Sequence, residues 1–237
     1  MALAGLLGCS VPRLVALSGT GYYSVDSTAA AHTGMRQLIA HYQKGVDSQM
    51  SIAIGHSTAT LTKQQPVSDL GNFLAHAQLS VAQKLDKDIE AGLINYGGIR
   101  VPSLHSGTIT KGDVFELLPF DNRLVTIYVP GDTLVLLCDH MARLKGWPVS
   151  GISFEIHAGT ARNILVQGLP LKQDKVYKLV MSDYIANGGD NCSFLRSLKR
   201  DAHTILLRDA IIDYIKDLAQ QGKSVHAQLD NRIRYAQ

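Results

Sequence analysis

Two glycine-rich segments carry the residue types that could hold a small ligand. The first spans residues 95–100 and reads Asn-Tyr-Gly-Gly-Ile-Arg, and the second spans residues 183–190 and reads Asp-Tyr-Ile-Ala-Asn-Gly-Gly-Asp. A glycine pair permits positive φ and lets the backbone approach a ligand closely. Each segment is also close in sequence to an aromatic side chain, Phe120 for the first and Tyr184 for the second. Taken singly, each segment is better explained as a tight turn, with Phe120 as a core residue.

The two segments together predict a nucleoside site. A flat ring held between two aromatic side chains, with a carboxylate and a guanidinium at its rim, is a common way to bind a purine nucleoside. Stacking of this kind contributes roughly 1–3 kcal/mol per base. Asp190 would supply the carboxylate and Arg100 the guanidinium. Base specificity does not follow, because stacking accepts any flat ring.

The sequence shows none of the common self-sufficient catalytic patterns. Its nine histidines form no His-Glu-x-x-His motif, and it has no Gly-x-Ser-x-Gly elbow, Walker loop or dinucleotide-binding glycine motif. Asp201-Ala202-His203 has the Asp-x-His spacing of two-metal phosphoesterases, but the further motifs that would complete such a site are missing. We interpret it as a surface turn before a strand, and we expect neither a catalytic metal nor a cofactor in this chain.

The elements that must position these segments follow from apolar spacing. Four helices are predicted: one from Met35 to near Gly45, one from the N-cap Ser68 to Gly92, one capped by Asp132, and one ending at Gly222. Strands are predicted at residues 50–54, 93–95, 124–129, 152–156, 164–166 and 176–181. Because helices and strands mix without regular βαβ alternation, the sequence predicts an α+β fold with mixed sheets and flanking helices.

Composition excludes several classes of function. Charged residues make up 18% of the 237 residues, the net charge is +3, and no basic stripe suggests a nucleic acid partner. No run of 18 apolar residues could cross a membrane as a helix. Three cysteines cannot form a disulfide framework, and their spacing fits no zinc site. We expect Cys138 to pack in the core and Cys192, in its glycine-rich loop, to be exposed.

At these residues the sequence resembles the C-terminal domain of the 5′-nucleotidase family, which includes periplasmic UDP-sugar hydrolases and animal ecto-5′-nucleotidase. The family pattern runs Asn-Gly-Gly-Gly-Ile-Arg, Gly-x-Ile-Thr, Pro-Phe-x-Asn and Phe-x-Ala-x-Gly-Gly-Asp-Gly. Residues 95–100, 107–110, 119–122 and 184–191 match it in order and approximate spacing. The resemblance extends over about residues 50–235.

The resemblance implies a role for each matching residue. The base would stack between Phe120 and Tyr184, Asp190 would accept hydrogen bonds from ribose hydroxyls, and Asn95 and Arg100 would face the sugar and phosphate. The residues expected to bind substrate are Asn95, Gly97, Gly98, Arg100, Phe120, Asn122, Tyr184, Gly188, Gly189 and Asp190.

The sequence departs from the family pattern at four positions. Tyr96 replaces a glycine, which makes that loop less free, and Asn191 replaces a glycine at a position where asparagine tolerates left-handed geometry. Residues 68–77 resemble the helix that opens the family's domain, and His76 stands where that helix usually has an aspartate. Just before the helix, Pro66 stands where a basic residue is expected, and Lys63 is the cation nearest to that position. These departures weaken the expectation of phosphate binding more than that of base binding.

In the family, a metallophosphatase domain holding two metals precedes this domain. The resemblance therefore implies a substrate-binding half whose divalent metals lie on a separate metallophosphatase chain, acting together in nucleotide catabolism. Hydrolase activity is implied by family membership and is not expected of this chain alone. Two alternatives remain open: a non-catalytic nucleoside-binding module of the cell envelope, for scavenging or sensing, and a degenerate copy retained for structure.

The first residues predict an envelope location. Leu6-Leu7-Gly8-Cys9 resembles the lipobox of bacterial lipoproteins, in which the cysteine carries lipid, although no basic residue precedes Arg13. We expect residues 1–23 to be a leader or lipoprotein signal remnant with Cys9 as the lipid anchor, and residues 24–237 to form a single domain. The alternative is an ordinary apolar N-terminus. The expected location is the bacterial envelope or periplasm, with lipid anchoring to the membrane.

Overall fold

Helices lie at six places in the part of the chain that the computed structural model describes, residues 32–227 and 229–236. They are α1 (Thr33–Met50), α2 (Asp69–Leu85), α3 (Lys111–Leu117), α4 (Gly131–Arg143), α5 (Asp183–Ala186) and α6 (Leu207–Gln220). The chain divides into two units between Gln43 and Lys44. The expected leader, its boundary at residue 23 and the expected anchor Cys9 lie outside the described residues, so they stay predictions.

The strands of the same residues are mostly short. They are β1 (Ala53–Ser57), β2 (Leu61–Thr62), β3 (Ala91–Leu93), β4 (Ser103–Leu104), β5 (Gly107–Thr110), β6 (Arg123–Pro130), β7 (Val149–Ser150), β8 (Ile152–His157), β9 (Thr160–Val166), β10 (Leu169–Pro170), β11 (Val176–Ser182), β12 (Arg200–Leu206) and β13 (Ile233–Tyr235).

Two larger sheets organise the domain. The five-stranded sheet has the order β12-β6-β11-β3-β7, in which β11 and β3 run parallel and all other neighbours run antiparallel. The four-stranded sheet has the order β10-β9-β8-β13, with β8 and β13 parallel. β1 pairs with β5, and β2 pairs with β4. The predicted α+β fold with mixed sheets and flanking helices is confirmed.

Helix α2 begins as the sequence predicts. The hydroxyl of Ser68 accepts a hydrogen bond from the Gly71 N–H at 3.0 Å, which satisfies one of the free donors of the first turn. Leu70 and Leu74 of α2 share one hydrophobic core with Ile211 of α6. The helix ends at Leu85, well before the expected stop at Gly92.

Helix α4 belongs to a second core, between the two larger sheets. Its residues Leu137, Cys138 and Met141 are buried together with Ile127 of β6 and Phe154 of β8. Burial of Cys138 is as predicted, and it raises the pKa of that thiol. The helix starts at Gly131, one residue before the expected cap Asp132, and Pro130 takes the N-cap position.

Several expectations at the sequence level were wrong. Residues 50–52 are not strand: α1 continues through Gly45 to Met50, and the strand starts at Ala53. Asp201 and His203 lie within strand β12 rather than in a turn. Cys192 is fully buried instead of exposed, and this burial raises the pKa of its thiol to about 12.

Within the described ranges, no helix combines the length and apolar character needed to cross a bilayer.

Candidate functional site

A cleft of about 300 Å³ opens at one edge of the five-stranded sheet. Because β3 and β11 are parallel, their carboxyl ends lie at the same edge, and the antiparallel β6 begins there, with Ser182 opposite Leu124. The segments after β3 and β11 and the loop before β6 therefore meet. Eight of the ten expected residues line this cleft: Asn95, Gly97, Gly98, Arg100, Phe120, Asn122, Tyr184 and Asp190.

The other two expected residues lie next to it. Gly188 and Gly189 line a neighbouring cleft of about 440 Å³, which shares Asn122 and Tyr184 with the first. All ten residues are therefore brought to one end of the sheet. Their binding of a substrate stays a prediction.

Both expected stacking residues present their rings to solvent. Phe120 is 46% exposed and Tyr184 is 45% exposed, although phenylalanine is usually buried. The interpretation of Phe120 as a core residue is therefore wrong. The guanidinium carbon of Arg100 lies 5.7 Å from the centre of the Phe120 ring, so a positive charge stands beside one wall of the cleft.

The carboxylate of Asp190 is held from two sides. Its Oδ1 accepts a hydrogen bond from the Tyr184 hydroxyl at 2.8 Å, and its Oδ2 accepts one from Asn95 Nδ2 at 2.7 Å. Asn95 is almost completely buried, at 6% exposure, so its amide is a fixed donor. The hydrogen bond to Asp190 is the main cause that raises the pKa of Tyr184. A carboxylate has about four acceptor positions, so Asp190 keeps two for a ligand.

Local backbone geometry explains two of the glycines. A Cβ at Gly98 would lie 2.7 Å from Asn95 Oδ1, and a Cβ at Gly189 would lie 2.5 Å from Cε1 of the Tyr184 ring. Both positions therefore need glycine for close approach. Asn191 has a φ of 66°, so it takes the left-handed geometry expected of it. Tyr96 begins a single turn of 3₁₀ helix through Gly98, which needs no glycine at its first position.

The expected substitute cation, Lys63, lies beside the cleft rather than in its lining. Its Nζ donates to the Ile99 carbonyl at 2.7 Å and stands 3.9 Å from the centre of the Tyr96 ring. Burial, and secondarily the charge of Arg100, lowers the pKa of Lys63. His76, the other departure from the family pattern, packs edge-on against Tyr214, with the ring centres 5.9 Å apart.

Two arginines that the sequence does not mark hold the loops of the site. Arg200 donates from Nη1 to the Ala186 carbonyl and to Asn187 Oδ1, each at 2.9 Å, and thereby ties down the segment before Asp190. Arg208 binds the loop that carries Phe120. Neither arginine belongs to a motif, so no local sequence signal could have identified them.

The described residues offer no place for a catalytic metal. No group of three or more His, Cys, Asp or Glu side chains among residues 32–227 and 229–236 could hold an ion. Asp201 and His203 bind different partners: Asp201 Oδ2 accepts from the Tyr128 hydroxyl at 2.8 Å, and His203 Nε2 lies 2.8 Å from Thr126 Oγ1. The donor sets present do not fit a two-metal centre.

Comparison with protein families identifies the class of this fold and cleft. Residues 49–197 match the family described as 5′-nucleotidase, C-terminal domain, and the chain belongs to that family. The family resemblance stated from the sequence is confirmed.

Individual relatives are larger proteins. The chain is 30% identical over 184 residues to the cell wall protein Lmo0130 of Listeria monocytogenes, covering 71% of this chain and 24% of that protein. It is 26% identical over 171 residues to the 5′-nucleotidase of Vibrio cholerae, covering 67% of this chain and 29% of the relative. The crystal structure of the 5′-nucleotidase precursor from Thermus thermophilus superimposes with a TM-score of 0.73 at 27% identity, covering 84% of this chain and 42% of that one. The chain thus spans less than half the length of each of these relatives.

Proposed function

We propose that this protein binds a nucleoside 5′-monophosphate in the cleft at the sheet edge and presents it to a metallophosphatase in nucleotide catabolism. The observation that carries the proposal is the convergence of Phe120, Tyr184 and Asp190 on one cleft, from segments far apart in the sequence. Two exposed rings suit a flat base, and a carboxylate with two acceptor positions left suits the two hydroxyls of a ribose.

The phosphate would lie toward the cationic side of the cleft. Arg100 is exposed and spends one Nη1 donor on the Gly97 carbonyl at 3.3 Å, so its other donors can bind a phosphate oxygen. Lys63 adds a second positive charge nearby. The groups proposed to bind the base and the ribose are held more firmly than those proposed to bind the phosphate. We therefore expect the nucleoside part of the ligand to provide most of the binding free energy.

The metals are proposed to come from a metallophosphatase on a separate chain. Support comes from the family, and from the donor sets of the described residues, which do not fit a metal centre. An envelope location is proposed as well, because the Listeria relative is a cell wall protein. Lipid anchoring through Cys9 is proposed on its lipobox-like sequence alone.

The proposal is tested by calorimetric titration with adenosine and AMP in the absence of metal. We expect micromolar binding of both, and a loss of about 1–3 kcal/mol in Phe120→Ala because stacking is removed. Tyr235→Ala is the matched control, since Tyr235 is a comparably exposed aromatic, at 54%, on strand β13. Absence of binding by the wild-type protein would contradict the proposal, as would equal affinities of the two variants.

A second assay addresses the separate source of metals. The chain is incubated with AMP and with Mg²⁺, Mn²⁺ or Zn²⁺, and released phosphate is measured. We expect no release above the blank, whereas metal-dependent release would show that the chain carries its own catalytic centre. Binding without release agrees both with the proposed function and with a module for scavenging or sensing. Adding a metallophosphatase distinguishes these two. The proposed function predicts that this chain stimulates AMP hydrolysis by the added enzyme, whereas a module for scavenging or sensing would not.

A further inference from the structure

Arg208, in the first turn of α6, binds the loop that carries Phe120 through the residues immediately before and after Phe120. Its Nη1 donates to the Pro119 carbonyl at 3.2 Å, and its Nη2 donates to Asp121 Oδ1 at 2.7 Å. The Arg208 side chain is only 8% exposed, whereas that of Asp121 is 79% exposed. A buried guanidinium thus fixes the residues immediately before and after an exposed aromatic.

Two further contacts hold Arg208 and this loop in place. The guanidinium carbon of Arg208 lies 4.0 Å from the centre of the Phe115 ring, on the helix α3 that leads into the loop. The N–H of the preceding residue, Leu207, donates to the Asn122 carbonyl at 2.8 Å. A planar guanidinium that binds two acceptors and stacks on a ring has one orientation, which a lysine could not reproduce.

Neither Arg208 nor Asp121 lines the cleft, so Arg208 would act on the position of a ligand through the loop and not by contact. The loop needs such support, because Phe120 is 46% exposed and packing holds it only in part. The backbone on either side of the ring therefore contributes to its position. Arg208 also lies beyond the segment that matches the family model, which ends at residue 197.

We propose that Arg208 is a positioning residue that sets the Phe120 ring for stacking on a nucleobase; this role rests on the proposed function of the cleft. Arg208 sets the position of the Phe120 ring before a ligand binds. Its removal should displace the ring even in the ligand-free protein.

The first test therefore uses no ligand. The protein is labelled with 4-fluorophenylalanine, and the ¹⁹F resonance of Phe120 is assigned with Phe120→Leu. We expect this resonance to shift or broaden in Arg208→Met and to stay unchanged in Arg234→Met, which breaks an arginine–carboxylate pair with Glu155 on the other sheet. An unchanged Phe120 resonance in Arg208→Met would overturn the proposal.

The second test is a double-mutant cycle on adenosine binding. Arg208→Met should weaken binding about tenfold, and Arg208→Lys should give an intermediate loss. In a Phe120→Ala background the Arg208→Met change should cost less than about twofold, because the group through which it acts is gone. Additive losses would overturn the positioning role. If the wild-type protein binds no adenosine, the proposed function fails, while the ¹⁹F experiment still decides the placement of the ring.

Asp121→Ala replaces Arg208→Met if the latter gives no cooperative thermal transition. Asp121 is exposed, so its truncation creates no cavity in the core, and it removes the carboxylate partner of the buried Arg208 guanidinium. We expect the Phe120 resonance to move and adenosine binding to weaken about threefold, as for the loss of a partly exposed ion pair. No change in either quantity would overturn the proposal.

Discussion

Asn95 donates its side-chain N–H to Asp190 across 95 positions of the sequence, at 2.7 Å. This bond joins the turn after β3 to the turn after α5, and each turn contributes residues to the cleft. The orientation of the Asp190 carboxylate is therefore set before any ligand binds. Preorganisation of this kind reduces the ordering cost of binding.

Asp190→Asn should weaken binding of adenosine by about 1–2 kcal/mol and leave binding of adenine unchanged. An amide offers a single acceptor oxygen, so it cannot keep both protein partners and also accept from two ribose hydroxyls. Calorimetry with the nucleoside and the free base measures the difference. Asp201→Asn is the matched control, because Asp201 also accepts from a tyrosine hydroxyl, that of Tyr128. Equal loss for adenosine and adenine would speak against a ribose role.

The phenol of Tyr184 should titrate at lower pH in Asp190→Asn than in the wild-type protein. The hydrogen bond to the carboxylate favours the neutral phenol and raises its pKa, so removing that bond lowers the pKa. A group with a raised folded-state pKa contributes stability at pH values below its unfolded pKa, and this contribution is lost as pH rises through the folded pKa. Ultraviolet difference titration, with Tyr184→Phe to identify the signal, measures the shift. A phenol pKa that does not change in Asp190→Asn would contradict the hydrogen bond.

Gly98→Ala should weaken nucleoside binding and destabilise the fold by about 1–2 kcal/mol. The added methyl group would approach Asn95 Oδ1 to 2.7 Å and displace the amide from Asp190. For stability, Gly97→Ala is the adjacent control, since its nearest neighbour would be Asn95 Nδ2 at 3.9 Å, an ordinary contact. Denaturant unfolding and calorimetry report the two effects. If both variants lose stability equally, close approach at Gly98 is not the cause.

The elements and the cleft differ in how far the sequence foretells them. Ser68, whose hydroxyl caps the helix, predicts the start of α2. The four segments that match the family pattern contain every residue that lines the cleft. Thr110 and Asp113 form a capping box, a local signal for α3 that apolar spacing does not provide. Strand β12 begins at Arg200, before the strand expected after His203, and it has no regular alternation of buried and exposed residues that would place its start by period-2 reasoning.

The residues that support the cleft escape prediction for a different reason. Arg208 meets Asp121 across 87 positions, and the geometry that joins them exists only in the folded sheet. Helix α1 continues through Gly45 because one glycine costs a helix only about 1 kcal/mol. Sequence motifs thus identify the residues that line the cleft, whereas the residues that hold those motifs in place require the structure.

Gln78→Met should raise the free energy of unfolding by about 1–2 kcal/mol. Gln78 is completely buried in α2, and neither its Nε2 nor its Oε1 has a hydrogen-bond partner within the described residues. Methionine has a similar shape and leaves no polar atom unpaired. Denaturant unfolding gives the change, with the exposed Gln173→Met as control. A destabilised Gln78→Met variant would show that the amide is satisfied in solution.

The parallel pairing of β13 with β8 has a consequence for how the chain acquires its structure. Arg234 bonds to Glu155 across 79 positions, and Ile233 belongs to the second core. On the ribosome, β8 is synthesised long before β13. The side of β8 that pairs with β13 therefore has no partner while the chain between the two strands is synthesised. Contacts this distant in sequence slow folding. We therefore expect closure of that edge to be a late step in folding, with an open strand edge exposed until it occurs.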